Sequence, residues 1–194
     1  VVLMGAAATT LTASAIDTVI GTAAADVLKF NGSAANTLGI SSIETVVGTT
    51  LTDEVLMLVA APGATLLISN VDSVIGSAGT DVLAIKASAG TTSLASRSVE
   101  TIIGASSADA LTLLAGGSGT VGISSIESIS CSTSVDIAKM LAAGTLTLTN
   151  ALLETIQGSA GADALVMVAN DTTVTISGVE SVKGSAGTAD LVKL

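Results

Sequence analysis

Apolar residues recur at alternate positions in short runs along the whole chain, and the runs themselves repeat. In the stretch from Val71 to Ile85 the order is apolar (Val71), acid (Asp72), Ser/Thr, apolar, any residue, Gly76, then Asp81 nine places after the first acid, then apolar Leu83 and Ile85. Seven copies can be traced. Their first acids are Asp17, Glu44, Asp72, Glu100, Glu127, Glu154 and Glu180, evenly spaced along the chain. The second acids are Asp26, Asp53, Asp81, Asp109, Asp136, Asp163 and Asp190.

Two and four places after each second acid stand Leu28 and Phe30, Val55 and Met57, Leu83 and Ile85, Leu111 and Leu113, Ala138 and Met140, Leu165 and Met167, and Val192 and Leu194. All are apolar, whereas the position between them varies and includes Lys29, Lys139 and Lys193. This period of two predicts a strand with one buried face. A second strand precedes the first acid, with inward candidates such as Leu11 and Ala13, Leu38 and Ile40, Leu66 and Ile68, Val121 and Ile123, and Val174 and Ile176. The first acid and its Ser/Thr neighbour sit between apolar residues, which breaks the alternation and predicts a corner. The glycine of each copy then opens a turn.

An even repeat of this size predicts a solenoid. The expected fold is all-β, a parallel β-solenoid of about seven 26–28-residue coils, each rising roughly 4.8 Å, in a single domain spanning residues 1–194. Extra residues near Asn150–Leu153 and at Ala189 are expected to be absorbed as bulges or loop extensions. Alanine occurs with Gly, Thr and Ser rather than at helical spacing, so long helices are not expected.

Composition narrows the chemistry. Phe30 is the only aromatic residue, and the chain has no His, Trp or Tyr. With six basic residues and acid pairs that recur with the scaffold, no catalytic constellation is visible, and the chain is not expected to be an enzyme. Sixteen acids against six bases give a formal charge of -10, which disfavours nucleic acid and anionic membranes and favours cations, divalent ones included. No run reaches the roughly 18 apolar residues of a membrane-spanning helix, so membrane insertion is not expected. Cys131 is the single cysteine and stands where most copies have Gly, which supports neither a disulfide framework nor a metal knuckle. Val1–Met4 has no preceding basic residue, so no signal peptide is read there; the chain is expected to begin inside a longer precursor or to be a mature product.

If each repeat were one coil, the two acid positions would form two carboxylate ladders along the axis. Unit charges about 4.8 Å apart repel by roughly 1 kcal/mol in water, and by more where half-buried. Two arrangements would offset this. Each carboxylate could accept backbone N–H bonds at a tight turn, helped by the adjacent Ser/Thr. Alternatively a hard cation such as Ca²⁺ could lie between successive coils.

The segments Gly76-Ser77-Ala78-Gly79-Thr80-Asp81-Val82-Leu83-Ala84 and Gly158-Ser159-Ala160-Gly161-Ala162-Asp163-Ala164-Leu165-Val166 resemble the G-G-x-G-x-D-x-U-x nonapeptide of RTX (repeats-in-toxin) proteins, lacking the second glycine. The run Ile176-Ser177-Gly178-Val179-Glu180-Ser181-Val182 is similar to repeats of large type I-secreted bacterial surface proteins, including S-layer proteins and adhesins. The resemblance implies a secreted β-roll that binds Ca²⁺ through Gly-rich turns and Asp. Asp81 and Asp163 are then the foremost calcium ligands, followed by Asp26, Asp53, Asp109, Asp136 and Asp190. The fourth-position glycine survives as Gly79, Gly161 and Gly187 but is Ala24, Leu51, Ser107 and Ser134 elsewhere. The nonapeptide also occurs once in each repeat of this chain, whereas in RTX rolls copies follow one another without a gap.

The expected role is structural: a repeat protein of an extracellular, cell-surface assembly such as an S-layer, filament, sheath or adhesin stalk, associating with itself through solenoid ends and sides. No polar cap is visible at either end of the repeat array, and exposed edges recruit strands. The alternative is a calcium-binding RTX-type module of a secreted toxin, enzyme or adhesin. A lesser alternative, an ice-binding solenoid, is suggested by Thr10-Leu11-Thr12 and Thr173-Val174-Thr175. The array is interrupted at Thr37-Leu38-Gly39 and Thr65-Leu66-Leu67.

Overall fold

The computed structural model describes all residues except 32–35, 60–64, 87–91, 106–107, 115–118, 132–135, 151, 170–171 and 187–189. The described residues form strands joined by turns, with no helix, and hence no helix able to cross a membrane. Strands alternate between two parallel sheets of eleven. One, here the front sheet, starts with Val2–Leu3; the other, the back sheet, starts with Thr10–Ala13. The chain is a parallel β-solenoid, as its alternating pattern predicts.

The size of the coil is not as expected. Paired residues are one coil apart, and their offset in sequence runs from 17, as for Val2 and Val19, to 22, as for Thr45 and Leu67. A coil therefore holds two strands, one in each sheet, and is shorter than a repeat. Each sequence repeat holds three strands, for example Thr10–Ala13, Thr18–Ile20 and Val27–Phe30. The repeat is one and a half coils, and the coils outnumber the seven predicted. The reason is local: each of the three connections in a repeat, the corner before the first acid included, reverses the chain from one sheet to the other.

Successive copies consequently fall on opposite faces. The strands following Asp26, Asp81, Asp136 and Asp190 belong to the back sheet, and those of Asp53, Asp109 and Asp163 belong to the front sheet. The lysines at the middle of the post-acid strand, Lys29, Lys139 and Lys193, all lie in the back sheet.

The core consists of parallel files of apolar side chains between the sheets. Val19, Val46, Val74, Ile102, Ile129 and Ile156, the apolar residues after the Ser/Thr of the corner, are fully buried. So are Leu28, Val55 and Leu83 in the post-acid strands, with Leu111, Ala138 and Leu165 within 1% of that. The fourteen predicted inward residues of those strands are buried in six copies, whereas Val192 is partly exposed and Leu194 is open to solvent. Burying one such Val, Leu or Ile contributes about 1.5–3 kcal/mol, beside the backbone ladders that join each rung to the next.

Candidate functional site: the carboxylate corners

Among the described residues, each second acid except Asp136, whose turn 132–135 lies outside them, caps the turn before its own strand. The Oδ2 of Asp26, Asp53, Asp81, Asp109 and Asp163 accepts the backbone N–H of the residue four places earlier: Thr22, Thr49, Ser77, Ala105 and Ser159. The N···O distances are 2.5 to 2.7 Å. In Asp190 the donor, Ser185, is five places earlier, at 2.7 Å; Ala189, the extra residue of that copy, is outside the described residues, as are Gly187, Ser107 and Ser134. The hydroxyls of Thr22, Thr49, Ser77 and Ser185 add a second bond. The other oxygen reaches down one coil: Asp26 Oδ1 accepts the N–H and hydroxyl of Thr9, Asp163 Oδ1 the N–H of Gly144, and Asp190 Oδ1 the N–H of Thr172.

The first acids perform a related task one rung up. From the second copy onward each accepts the backbone N–H of the second acid of the preceding copy: Asp26 donates to Glu44, Asp53 to Asp72, Asp81 to Glu100, Asp109 to Glu127, Asp136 to Glu154 and Asp163 to Glu180. These bonds are 2.7 to 2.8 Å long. The two expected ladders are thus a misreading of the connectivity. Both kinds of acid share each edge, and successive copies alternate edges. Two second acids of one edge stand three strands apart, roughly 14 Å, but each up to Asp163 has the first acid of the next copy one coil above it, as Asp53 has Asp72, so the like charges come in close pairs that the N–H donors between them must offset.

Hydrogen bonding to the ionised form sets the titration of the end members. The Thr22 N–H holds the Asp26 carboxyl below its ordinary value, helped by Thr9 against the opposing effect of burial. The N–H and hydroxyl of Ser185 do the same for Asp190. Asp136 departs from the set: its Oδ2 has no hydrogen-bond partner, and burial, reinforced by the charge of Glu154, pushes it up to about 6.

The corner above each turn explains the recurrent glycine. Ser42, Asn70, Ser98 and Ser125 adopt left-handed backbone with φ of 51° to 53°, and Gly178 has φ 62°. Their carbonyls lie directly over Gly21, Gly48, Gly76, Gly104 and, for Gly178, Gly158, so that any Cβ at those five glycines would collide with backbone. Cys131 is the exception in this file. There the N–H and carbonyl of residue 131 are bonded by the side-chain amide of Asn150 (3.1 and 2.6 Å). Burial and the nearby charges of Asp136 and Glu154 push the Cys131 thiol up to about 12.

The donor set bears on the calcium reading. Asp26 is surrounded by N–H and O–H donors, which suit an anion; a cation would need oxygens in their place. Among the described residues no three His, Cys, Asp or Glu side chains converge. Asp81 and Asp163, the foremost candidates, are on opposite edges and each carry the same capping bond as the rest. The residues present therefore fit turn capping. Compared with known proteins, the chain matches no family model, no curated protein and no solved structure.

Three features escape the sequence pattern: the left-handed residue two places before most first acids, the Asn150 bridge, and Ser96, which takes an inward position among apolar neighbours. The first carried a signal, since that position is Ser42, Asn70, Ser98, Ser125 and Gly178, and Asn and Gly are the residues most at ease there.

Proposed function

We propose that this chain is a structural element of an extracellular surface assembly, extended by strand addition at the ends of the solenoid. One observation carries the reading. Val182 is 37% exposed and Leu191 51%, although the residues equivalent to Val182 in the six preceding copies are fully buried. The strands Ser181–Lys183 and Leu191–Lys193 each keep one edge without a strand partner among the described residues, as do Val2–Leu3 and Thr10–Ala13 at the other end. An open edge over apolar side chains templates a further strand. A second copy stacked on this edge would cover Val182 as neighbouring coils cover its equivalents; Leu191 is an outward residue whose equivalents, such as Val27 and Val82, are half-buried. The extracellular setting rests on the resemblance of the repeats to those of type I-secreted surface proteins.

Light scattering and negative-stain electron microscopy over a range of concentrations test this. Rods that lengthen with concentration are expected, and Val182→Lys with Leu191→Lys should shorten them to single particles. A chain that stays monomeric at every concentration refutes assembly through these ends.

A further inference from the structure

The lysines are gathered on one face. Lys29, Lys139 and Lys193 stand in the back-sheet strands Val27–Phe30, Asp136–Met140 and Leu191–Lys193. Lys86 directly follows the back-sheet strand Val82–Ile85 and donates its N–H to the Ile68 carbonyl. In the order of the sheet these four strands are each three places apart, roughly 14 Å. All four lysines are exposed, and among the described residues none has an ion-pair partner. The outer surface between them carries no acid, since the only one within the back-sheet strands, Asp136, is buried. Outward Val27, Leu67, Val82 and Ala84 are half-buried there, and Ile103 is exposed.

The same interval governs a row of carboxylates. Asp17, Asp72, Glu127 and Glu180 immediately precede the front-sheet strands Thr18–Ile20, Ser73–Ile75, Ser128–Ser130 and Ser181–Lys183, again three places apart. All four are exposed, whereas Glu44 and Glu100 of the other edge are half-buried. Asp72, Glu127 and Glu180 each give one oxygen to a corner N–H, which holds the carboxylate in place at the surface. The equal spacing follows from a repeat of one and a half coils: both rows come from the first, third, fifth and seventh copies.

We propose that the back face docks a second copy of this chain side by side, with the two axes aligned and the lysine row of one against the exposed acid row of the other. Charge complementarity selects this occupant. Four positive charges at one interval meet four negative charges at the same interval, so bringing one pair into register brings the others with it. Exposed ion pairs are individually weak, and the shared period is what lets them add along the contact. The back face also has no carboxylate of its own to repel the incoming row. This contact is lateral, beyond strand addition at the ends, and is read separately from it.

Sedimentation velocity of the full chain over a range of concentrations, at about 50 mM and about 500 mM sodium chloride, tests the proposal, with negative-stain microscopy to separate widening from lengthening. Side-by-side pairs are expected at the lower salt and should be lost at the higher. Lys29→Gln with Lys86→Gln and Lys139→Gln should weaken pairing roughly tenfold or more. It should leave lengthening unaltered, because Lys193 in the end strand is untouched. Arginine at the same three positions should retain pairing. Asp72→Asn with Glu127→Gln keeps an acceptor oxygen for the corner N–H and should weaken pairing in the same way. Carbodiimide coupling of mixed isotope-labelled and unlabelled chains should join lysines of one copy to row acids of another. Pairs that form without any lengthening would support the lateral contact and count only against addition at the ends. Absence of pairing at low salt, pairing that strengthens with salt, pairing unchanged by the glutamine variant, or a lysine row that binds only an added polyanion such as dextran sulfate would each overturn it.

Discussion

Gly76→Ala isolates the contact that sets the rung spacing at the corners. A Cβ on Gly76 would overlap the carbonyl of Ser98 and lie 2.8 Å from Asp81 Oδ2. Neither neighbour can step aside cheaply. The Ser98 carbonyl belongs to a left-handed corner with φ 53°, and the Asp81 oxygen is held by the Ser77 N–H at 2.6 Å. Relief requires opening the two coils, which stretches the bond from the Gly76 N–H to the Arg97 carbonyl (2.9 Å) and that from the Asp81 N–H to Glu100 (2.8 Å). Two weakened hydrogen bonds at about 1 kcal/mol each, with about 1–3 kcal/mol of overpacking, give a cost of roughly 3–5 kcal/mol. Gly144→Ala is the matched control. Nothing lies within 4 Å of its Cβ and its backbone is not left-handed, so it should be neutral or stabilising by up to about 1 kcal/mol through the unfolded chain. Urea titration followed by circular dichroism reads the difference, and hydrogen exchange reports whether the loss is confined to the coils around Gly76, as nearest-neighbour coupling implies. Gly76→Ala within about 0.5 kcal/mol of wild type, or as well tolerated as Gly144→Ala, would refute the reasoning.

Removing divalent cations is expected to leave the thermal midpoint unchanged, because the corner carboxylates are already met by N–H and O–H donors; melting with chelator and with added calcium checks this, and a rise with calcium that Asp81→Asn removes would restore the metal reading. Asp136 titrates at about 6 when folded against an ordinary 3.8, so its effect on stability is fully favourable below the lower value and is lost as pH rises through the upper one; Asp136→Asn should therefore melt higher than wild type above pH 6 and flatten the loss between the two values. Asp26 and Asp190 carry the opposite sign, being held below 3.8: the stability they give is present above that value and is lost as the pH falls through their lower folded values, which Asn variants measured across the acid limb would show. Cys131 is buried with its thiol pushed up to about 12, so a thiol reagent at neutral pH should label it only at the rate of local opening, and rapid labelling of the folded chain would contradict the burial.

The strands and their inward faces could be read directly from the alternation, because a residue such as Leu28 or Leu111 has only two faces to choose between and a polar neighbour, Lys29 or Thr112, identifies the outer one. The number of strands per coil could not. A repeat period measures the chain until the pattern returns, and three strands return together whether they line three sides of one coil or three half-turns of a flatter one. What separates the two is whether all three connections reverse the chain, and that depends on the left-handed corners at Ser42, Asn70, Ser98 and Ser125. Reading Asp26 and Glu44 as one pair likewise required the coil length: they are 18 residues apart and adjacent in space, although they belong to different copies of the repeat. Ser96 was invisible for a different reason. A serine among threonines and alanines looks like an outward residue until its register with Val74 and Leu113 is known.

The fifth and sixth copies show how the corner tolerates its own exception. Gly21, Gly48, Gly76, Gly104 and Gly158 all lie beneath a backbone carbonyl with no room for a Cβ, and Cys131 places a Cβ at that same point of the file. The chain answers one coil later, where the interval between strand and corner carries an extra residue near Asn150. Asn150 presents its side-chain amide where the other copies present backbone, accepting the N–H of Cys131 and donating to its carbonyl. The N–H that the equivalent glycines give to a backbone carbonyl, as Gly76 does to Arg97, is thus given at Cys131 to a side-chain amide. The two irregularities, a missing glycine and an extra residue, compensate each other across a single rung. A one-residue change in period is then a local repair of hydrogen bonding, and the register of the later strands continues through it, with Leu146 and Leu148 paired to Leu165 and Met167 as their equivalents are elsewhere.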